Sequence, residues 1–220
     1  MEIERFINSP VSSNCYMLEE KGHAVVIDPG TYGSKEILKT IDERHLLVDD
    51  IILTHEHFDH CAGTESLRRC TKASLLCTSI CNELIQDARK NYSAYWTEGE
   101  PFSIYPAERT VGDGDVLQWQ GHTFYFYHTP GHSLACLTIR VDDTALFTGD
   151  NFIPLMRTYT NLNGGSKDDL RRTLVRLHSL KQFTHLIVYP GHNDSIPIGE
   201  AHFNEALRGF SEQQLKNCLL

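Results

Sequence analysis

The sequence predicts an α/β (α+β) protein folded as a single domain over residues 1–220, and three observations carry that reading. The first half alternates short apolar runs with amphipathic stretches, which is strand–helix–strand order. The second half opens with hairpin-type runs and closes with a helix and a buried-type strand. Composition agrees: 40% hydrophobic and 22% charged residues are ordinary for a globular chain. A 220-residue core buries about 70% of the unfolded surface, and no low-complexity linker divides the chain.

Taken in order, Asn14–Leu18 and His23–Ile27 read as strands joined by a turn at Glu20-Lys21-Gly22. Asp28-Pro29-Gly30 ends the second strand, because Pro fixes φ and Gly permits a sharp change of direction. Ser34 is placed to cap a helix over 35–44, with Ile37, Leu38 and Ile41 on its inner face. A strand from Leu47 to Leu53 follows, then a helix from Ala62-Gly63 through Arg69 and a strand over Ala73–Cys77.

Ser79 to Lys90 has a helical pattern. The stretch beyond it is aromatic and punctuated by proline, so 79–110 is read as a lid insertion over a site, with Tyr92, Tyr95 and Trp96 bordering a substrate pocket. Strands are expected at Val116–Gln118, Thr123–Tyr127, Ala135–Val141 and Ala145–Phe147, the last two flanking the hairpin signal Asp142-Asp143. Lys167–Leu180 is a helix with Leu170, Leu174 and Leu177 on one face. Leu186–Tyr189 is a strand, and a tail helix from Gly199 turns Phe203, Leu207 and Phe210 inward.

Charge narrows the partners. Twenty Lys and Arg against 29 Asp and Glu leave a net charge of −9, with no basic stripe, which argues against nucleic acid and for a small-molecule substrate. The N-terminus lacks a basic region followed by an apolar one, and no run of about 18 apolar residues occurs. No membrane association is expected, and the cytoplasm is the expected compartment. Seven cysteines without a C-x-x-C pair suit free thiols in a reducing compartment. Oligomeric state is not legible.

The chemistry concentrates in Thr54-His55-Glu56-His57-Phe58-Asp59-His60, which places three imidazoles and the Asp59 carboxylate beside the apolar run Ile51-Ile52-Leu53. Imidazole nitrogen and carboxylate oxygen suit zinc, iron and manganese. Alternation at a strand end turns His55 and His57 the same way, toward one ion, and Asp59 and His60 follow in the turn. Three later segments repeat the arrangement of a glycine turn with a ligand at a strand's edge. They are Pro130-Gly131-His132, Thr148-Gly149-Asp150 and Pro190-Gly191-His192.

With H-x-H-x-D-H at 55–60, P-G-H at 130–132, G-D at 149–150 and P-G-H at 190–192, the chain resembles the metallo-β-lactamase-fold hydrolases. Within them it resembles the glyoxalase II-like (hydroxyacylglutathione hydrolase-like) thioester hydrolases. Asn14-Cys15-Tyr16 and Asp28-Pro29-Gly30 fit that family's opening strands. The resemblance implies a four-layer αββα sandwich and two divalent ions per chain, zinc first, with iron or manganese as alternatives. His55, His57 and His132 would hold one ion and Asp59, His60 and His192 the other, with Asp150 bridging. Asp59 would be the catalytic residue that orients water and carries a proton. Asp28 is the candidate for supporting the ligand imidazoles, with Thr54, His128 and Thr129 as further outer residues.

The implied activity is metal-dependent hydrolysis of an ester-type bond, thioester before lactone or phosphodiester. An alternative is a persulfide dioxygenase-like oxidoreductase holding one iron through His55, His132 and Asp150. Only 28 residues follow His192, with Arg208 and Lys216 the cations among them. Glyoxalase II recognises glutathione with cationic residues of a C-terminal helical domain, so the resemblance does not carry glutathione recognition over to this chain. Asp150 stands where one lactamase subclass carries a cysteine, and His57 where flavodiiron-type relatives carry a glutamate.

Overall fold

The computed structural model describes residues 1–96 and 99–199, so the expected tail helix lies outside the described residues. The chain divides into two compact units, the first Met1–Gly112 and the second from Asp113 onward.

The first unit is built on a six-stranded sheet. Its strands are β1 (Glu2–Ile7), β2 (Asn14–Glu20), β3 (His23–Ile27), β4 (Leu47–Ile52), β5 (Ser74–Cys77) and β6 (Arg109–Thr110), lying side by side in chain order. β1, β2 and β3 pair antiparallel, and β3 to β6 pair parallel. The β2–β3 turn has Lys21 and Gly22 both at positive φ (54° and 80°), the conformation that a tight hairpin of this twist demands. β1 was not foreseen: it is a polar edge strand whose residues are largely exposed, so it carries little hydrophobic pattern.

Helix α1 (Lys35–Glu43) buries Ile37 and Ile41. Ser34 does not cap it. Its backbone is left-handed (φ 47°, ψ 36°) and its hydroxyl donates instead to the carbonyls of Thr31 and Gly63. A single-turn helix α2 (Phe58–Cys61) precedes α3 (Thr64–Thr71), which buries Leu67. Helix α4 covers only Ser79–Leu84, shorter than the pattern predicts. Beyond it Arg89 N, which a continuing helix would pair with the Ile85 carbonyl, donates to the Asp87 carboxylate at 2.8 Å, and the Ile85 carbonyl accepts from Ile104 N at 3.0 Å.

The stretches 85–96 and 99–108 are held by hydrogen bonds. Buried Asn91 donates to the carbonyls of Ile85 and Phe102 and accepts from Ser93 N. Arg68 donates to the carbonyls of Tyr105 and Pro106, and Glu108 accepts from Leu75 N at 2.7 Å. β6 then joins the sheet edge.

The second unit carries the other six-stranded sheet: β7 (Val116–Trp119), β8 (His122–His128), β9 (Leu137–Val141), β10 (Ala145–Gly149), β11 (Ile187–Pro190) and β12 (Ile196–Pro197). All neighbours are antiparallel except β10 and β11. Helix α5 (Lys167–His178) is capped by Ser166, whose hydroxyl accepts from Asp169 N, and has Asp168 and Asp169 in its first turn, where the helix dipole favours them. Leu170, Leu174 and Leu177 pack in one cluster with Leu146, Phe152, Leu186 and Val188. That is the face the spacing predicts.

Candidate metal centre

In the first unit β4 ends at Ile52, and His55 and His57 lie on the loop beyond it, not on the strand. Strand alternation is therefore not what brings them together. The loop folds so that the His55 ring centroid is 4.6 Å from that of His57 and 4.3 Å from that of His60, all three side chains being buried. His57 is the residue before α2, while Asp59 and His60 sit within that helical turn.

Asp28 sets the orientation of two of these rings. It ends β3 with a left-handed backbone (φ 54°) and is 2% exposed. One carboxylate oxygen accepts from Thr54 N at 2.7 Å. The other accepts from Thr54 Oγ1 at 2.6 Å and from His60 Nδ1 at 3.0 Å. Thr54 spends its single hydroxyl proton on Asp28, so its 3.0 Å contact with His55 Nδ1 has the imidazole as donor. Both rings thus carry their proton on Nδ1 and present an unprotonated Nε2, the atom a metal binds. Asp28, His55 and His60 offer ligand atoms within 4.8 Å of one another, but the Asp28 oxygens are already committed to Thr54 and His60 Nδ1.

In the second unit the predicted ligands come from three strand ends. β8 leads to His132, β10 to Asp150 and β11 to His192. Because β10 and β11 run parallel, Asp150 and His192 emerge at the same edge, and Gly191 N donates to Gly149 O at 2.8 Å just past the strands. One Asp150 oxygen, Oδ2, lies 3.5 Å from His132 Nε2 and 3.4 Å from His192 Nε2. His132 Nδ1 donates to the Tyr159 carbonyl at 2.7 Å, so in the neutral ring Nε2 is the atom with the lone pair.

This donor set fits divalent ions. His60 and His132 each turn an unprotonated Nε2 toward a carboxylate oxygen 3.5 Å away, on Asp59 and Asp150 respectively. In the neutral rings each pair sets two electron-rich atoms face to face, an arrangement that a divalent cation suits. The Cys61 thiol donates to the Glu56 carbonyl at 3.3 Å. Burial, then the charges of Asp59, Glu56 and Asp28, push it well above the usual range.

Of the aromatic residues predicted around the pocket, Tyr92 reaches the cluster. Its ring stands edge-on to His57 at 4.9 Å, from a left-handed backbone (φ 68°). Trp96 stacks on Phe58, beside Asp59, at 5.3 Å. Tyr95 is 66% exposed and touches the group only through Tyr92. His128 and Thr129 serve the local backbone: His128 Nε2 bonds the Leu134 carbonyl and Thr129 bonds Thr138.

Two buried asparagines escape the sequence reading. Asn151 accepts from His132 N at 2.8 Å and donates to the Thr129 carbonyl, so it ties the His132 loop to the residue after Asp150. Asn8 performs a comparable role in the first unit. Neither sits in a motif; each is an asparagine beside one apolar residue, Ile7 or Phe152, where a loop needs both a donor and an acceptor.

Fold and motif define a class, and the comparisons agree on it. The chain belongs to the metallo-β-lactamase superfamily, whose family model matches residues 8–192. It has the fold of that superfamily, whose αββα class the sequence predicts. The superfamily binds divalent metals and consists mostly of metal-dependent hydrolases.

Among relatives, it is 30% identical to the uncharacterized protein Rv2581c of Mycobacterium tuberculosis, over 96% of this chain and all of that one. It is 29% identical to the probable metallo-hydrolase YqgX of Bacillus subtilis, again over 96% and 100%. Similarity to a hydroxyacylglutathione hydrolase of Photobacterium profundum is 31% but covers 58% of this chain and 42% of that protein. Among solved structures, the BLEG-1 B3 metallo-β-lactamase superposes with a TM-score of 0.82 at 23% identity, covering 94% and 96% of the two chains. TTHA1623 in a di-iron-bound form gives 0.77 at 24% identity, covering 93% and 97%. Among the described residues no helix is long and apolar enough to cross a membrane.

Proposed function

We propose that this chain is a dinuclear metal-dependent hydrolase of the glyoxalase II-like subgroup, acting on a small-molecule thioester in the cytoplasm, with zinc as the preferred ion. His55, His57 and His132 would hold one ion, Asp59, His60 and His192 the second, and Asp150 both. The two units would then work as one domain, since neither alone carries the seven ligands. The observation that carries the reading is the pairing of unprotonated Nε2 atoms with carboxylate oxygens at His60–Asp59 and at His132–Asp150, 3.5 Å in each case.

When bound, the ions provide acidified water near neutral pH and Lewis acidity toward a carbonyl oxygen. The chain's residues do the rest. Asp59 orients the attacking water and accepts its proton as oxygen bonds to the acyl carbon. The carbon–sulfur bond breaks, and the proton passes from Asp59 to the departing sulfur. Tyr92 and Trp96 form an aromatic wall beside His57 and Phe58 that excludes water from the acyl group.

The test is metal analysis of protein purified without added metal, followed by a screen of thioester, lactone and phosphodiester substrates. Two ions per chain and thioester turnover are expected. One iron per chain with oxygen consumption on glutathione persulfide would replace the hydrolase with the dioxygenase-like alternative.

A further inference from the structure

Helix α2 is a single turn, and a helix that short does not hold itself. Its one internal bond runs from Ala62 N to Phe58 O. The next in register, from Gly63 N to Asp59 O, is not made, because Gly63 N donates to Pro29 O at 2.7 Å. The Asp59 carbonyl instead faces two side chains from the loop after β1, one of which bonds it. Ser13 Oγ donates to it, and Asn8 Nδ2 lies 3.5 Å from it.

Asn8 is 3% exposed and Ser13 fully buried. Asn8 Nδ2 also donates to Ser13 Oγ at 2.9 Å and to the Asp28 carbonyl at 3.2 Å. Its Oδ1 accepts from Gly30 N and Thr31 N, each at 3.0 Å. One amide therefore ties the Asp28–Thr31 turn to the start of α2. Gly30 completes the cradle, since a Cβ there would stand 1.6 Å from the Asp59 carbonyl oxygen.

From this geometry we infer that Asn8 and Ser13 are positioning residues for the second metal site, acting through the Asp59 backbone on Asp59 and His60. The inference rests on the dinuclear reading above. Its logic is selective. Ser13 meets the ligand segment only at the Asp59 carbonyl, whereas Asn8 also reaches the backbone of Asp28, whose carboxylate holds His60 directly and His55 through Thr54. Among the described residues neither Ser13 nor Asn8 bonds His55 or His57. Loosening the Ser13 arm should degrade one ion's site and spare the other.

The experiment is Ser13→Ala, with zinc affinity read stepwise by chelator competition and thermal melting of the metal-free protein alongside. The expected result is a roughly 10–100-fold weaker second ion, as for lost outer-sphere support elsewhere, with the first ion within about threefold of wild type. Melting of the metal-free form should move little, and kcat should fall while KM holds. Equal weakening of both ions, or unchanged stepwise affinities, overturns the inference while leaving the dinuclear reading in place. A wild-type chain that takes up no second ion overturns the dinuclear reading, and this inference with it. Should Ser13→Ala not fold, Asn8→Ser carries the same stepwise readout.

Discussion

The first unit draws its four candidate ligands from six consecutive residues, His55 to His60, whereas the second draws three from positions 132, 150 and 192. The first cluster sits on a loop and one helical turn, fixed from outside by Asp28, Thr54, Asn8 and Ser13. In the second, Asn151 and the Tyr159 carbonyl hold His132, while the sheet itself fixes the other two. Adjacent strands β10 and β11 end together, and their register sets where Asp150 and His192 stand. A local cluster depends on side-chain clamps; a dispersed one depends on strand register. They should fail differently when perturbed.

The largest effect belongs to Asp150, whose Oδ2 stands between two imidazoles. Asp150→Ala should remove turnover to background and lower bound metal. Unchanged turnover by steady-state assay would contradict the dinuclear mechanism. In the first unit, Asp28→Asn keeps an oxygen for Thr54 but loses the charge facing His60. Metal affinity should drop by about 10–100-fold, measured by competition with a fluorescent chelator. An unchanged affinity would mean that Asp28 serves only the turn.

Asn151→Ala tests the second unit's loop. It leaves the buried His132 N–H without its acceptor, so folding stability should fall by about 1–3 kcal/mol in urea denaturation. Trp96→Ala removes the stack on Phe58, worth about 0.5–1.5 kcal/mol beyond its area. Its signature should be a raised KM across acyl substrates with metal content intact. The smallest effect concerns thiols. Burial pushes Cys15, Cys61 and Cys81 up, so alkylation mapped by mass spectrometry should mark exposed Cys70 and spare these three in folded protein.

The same contrast explains what could be read in advance. The contiguous cluster is a motif in itself, and the Pro-Gly-His repeats mark where strands deliver the others. Hairpins at Lys21-Gly22 and the leucine face of α5 followed from turn chemistry and period. β1, β6 and β12 were not legible, because short or edge strands bury too little to leave a pattern. The cap expected of Ser34 and the length expected of α4 were both overridden by side chains finding other backbone partners. Asn8 and Asn151 were invisible because a polar hub is defined by the loops that meet at it, and those come from distant parts of the chain.

Strand order in both sheets follows the order in which residues leave the ribosome. Each strand pairs with its predecessor in the chain, so no strand waits for a later one to be inserted between them, although the connections from Cys77 to Arg109 and from Gly149 to Ile187 are long. The first sheet has all its strands by Gly112 and can assemble while the remainder is still being translated. The His55–His60 segment would then be folded into place before the codon for Asp150 has been read.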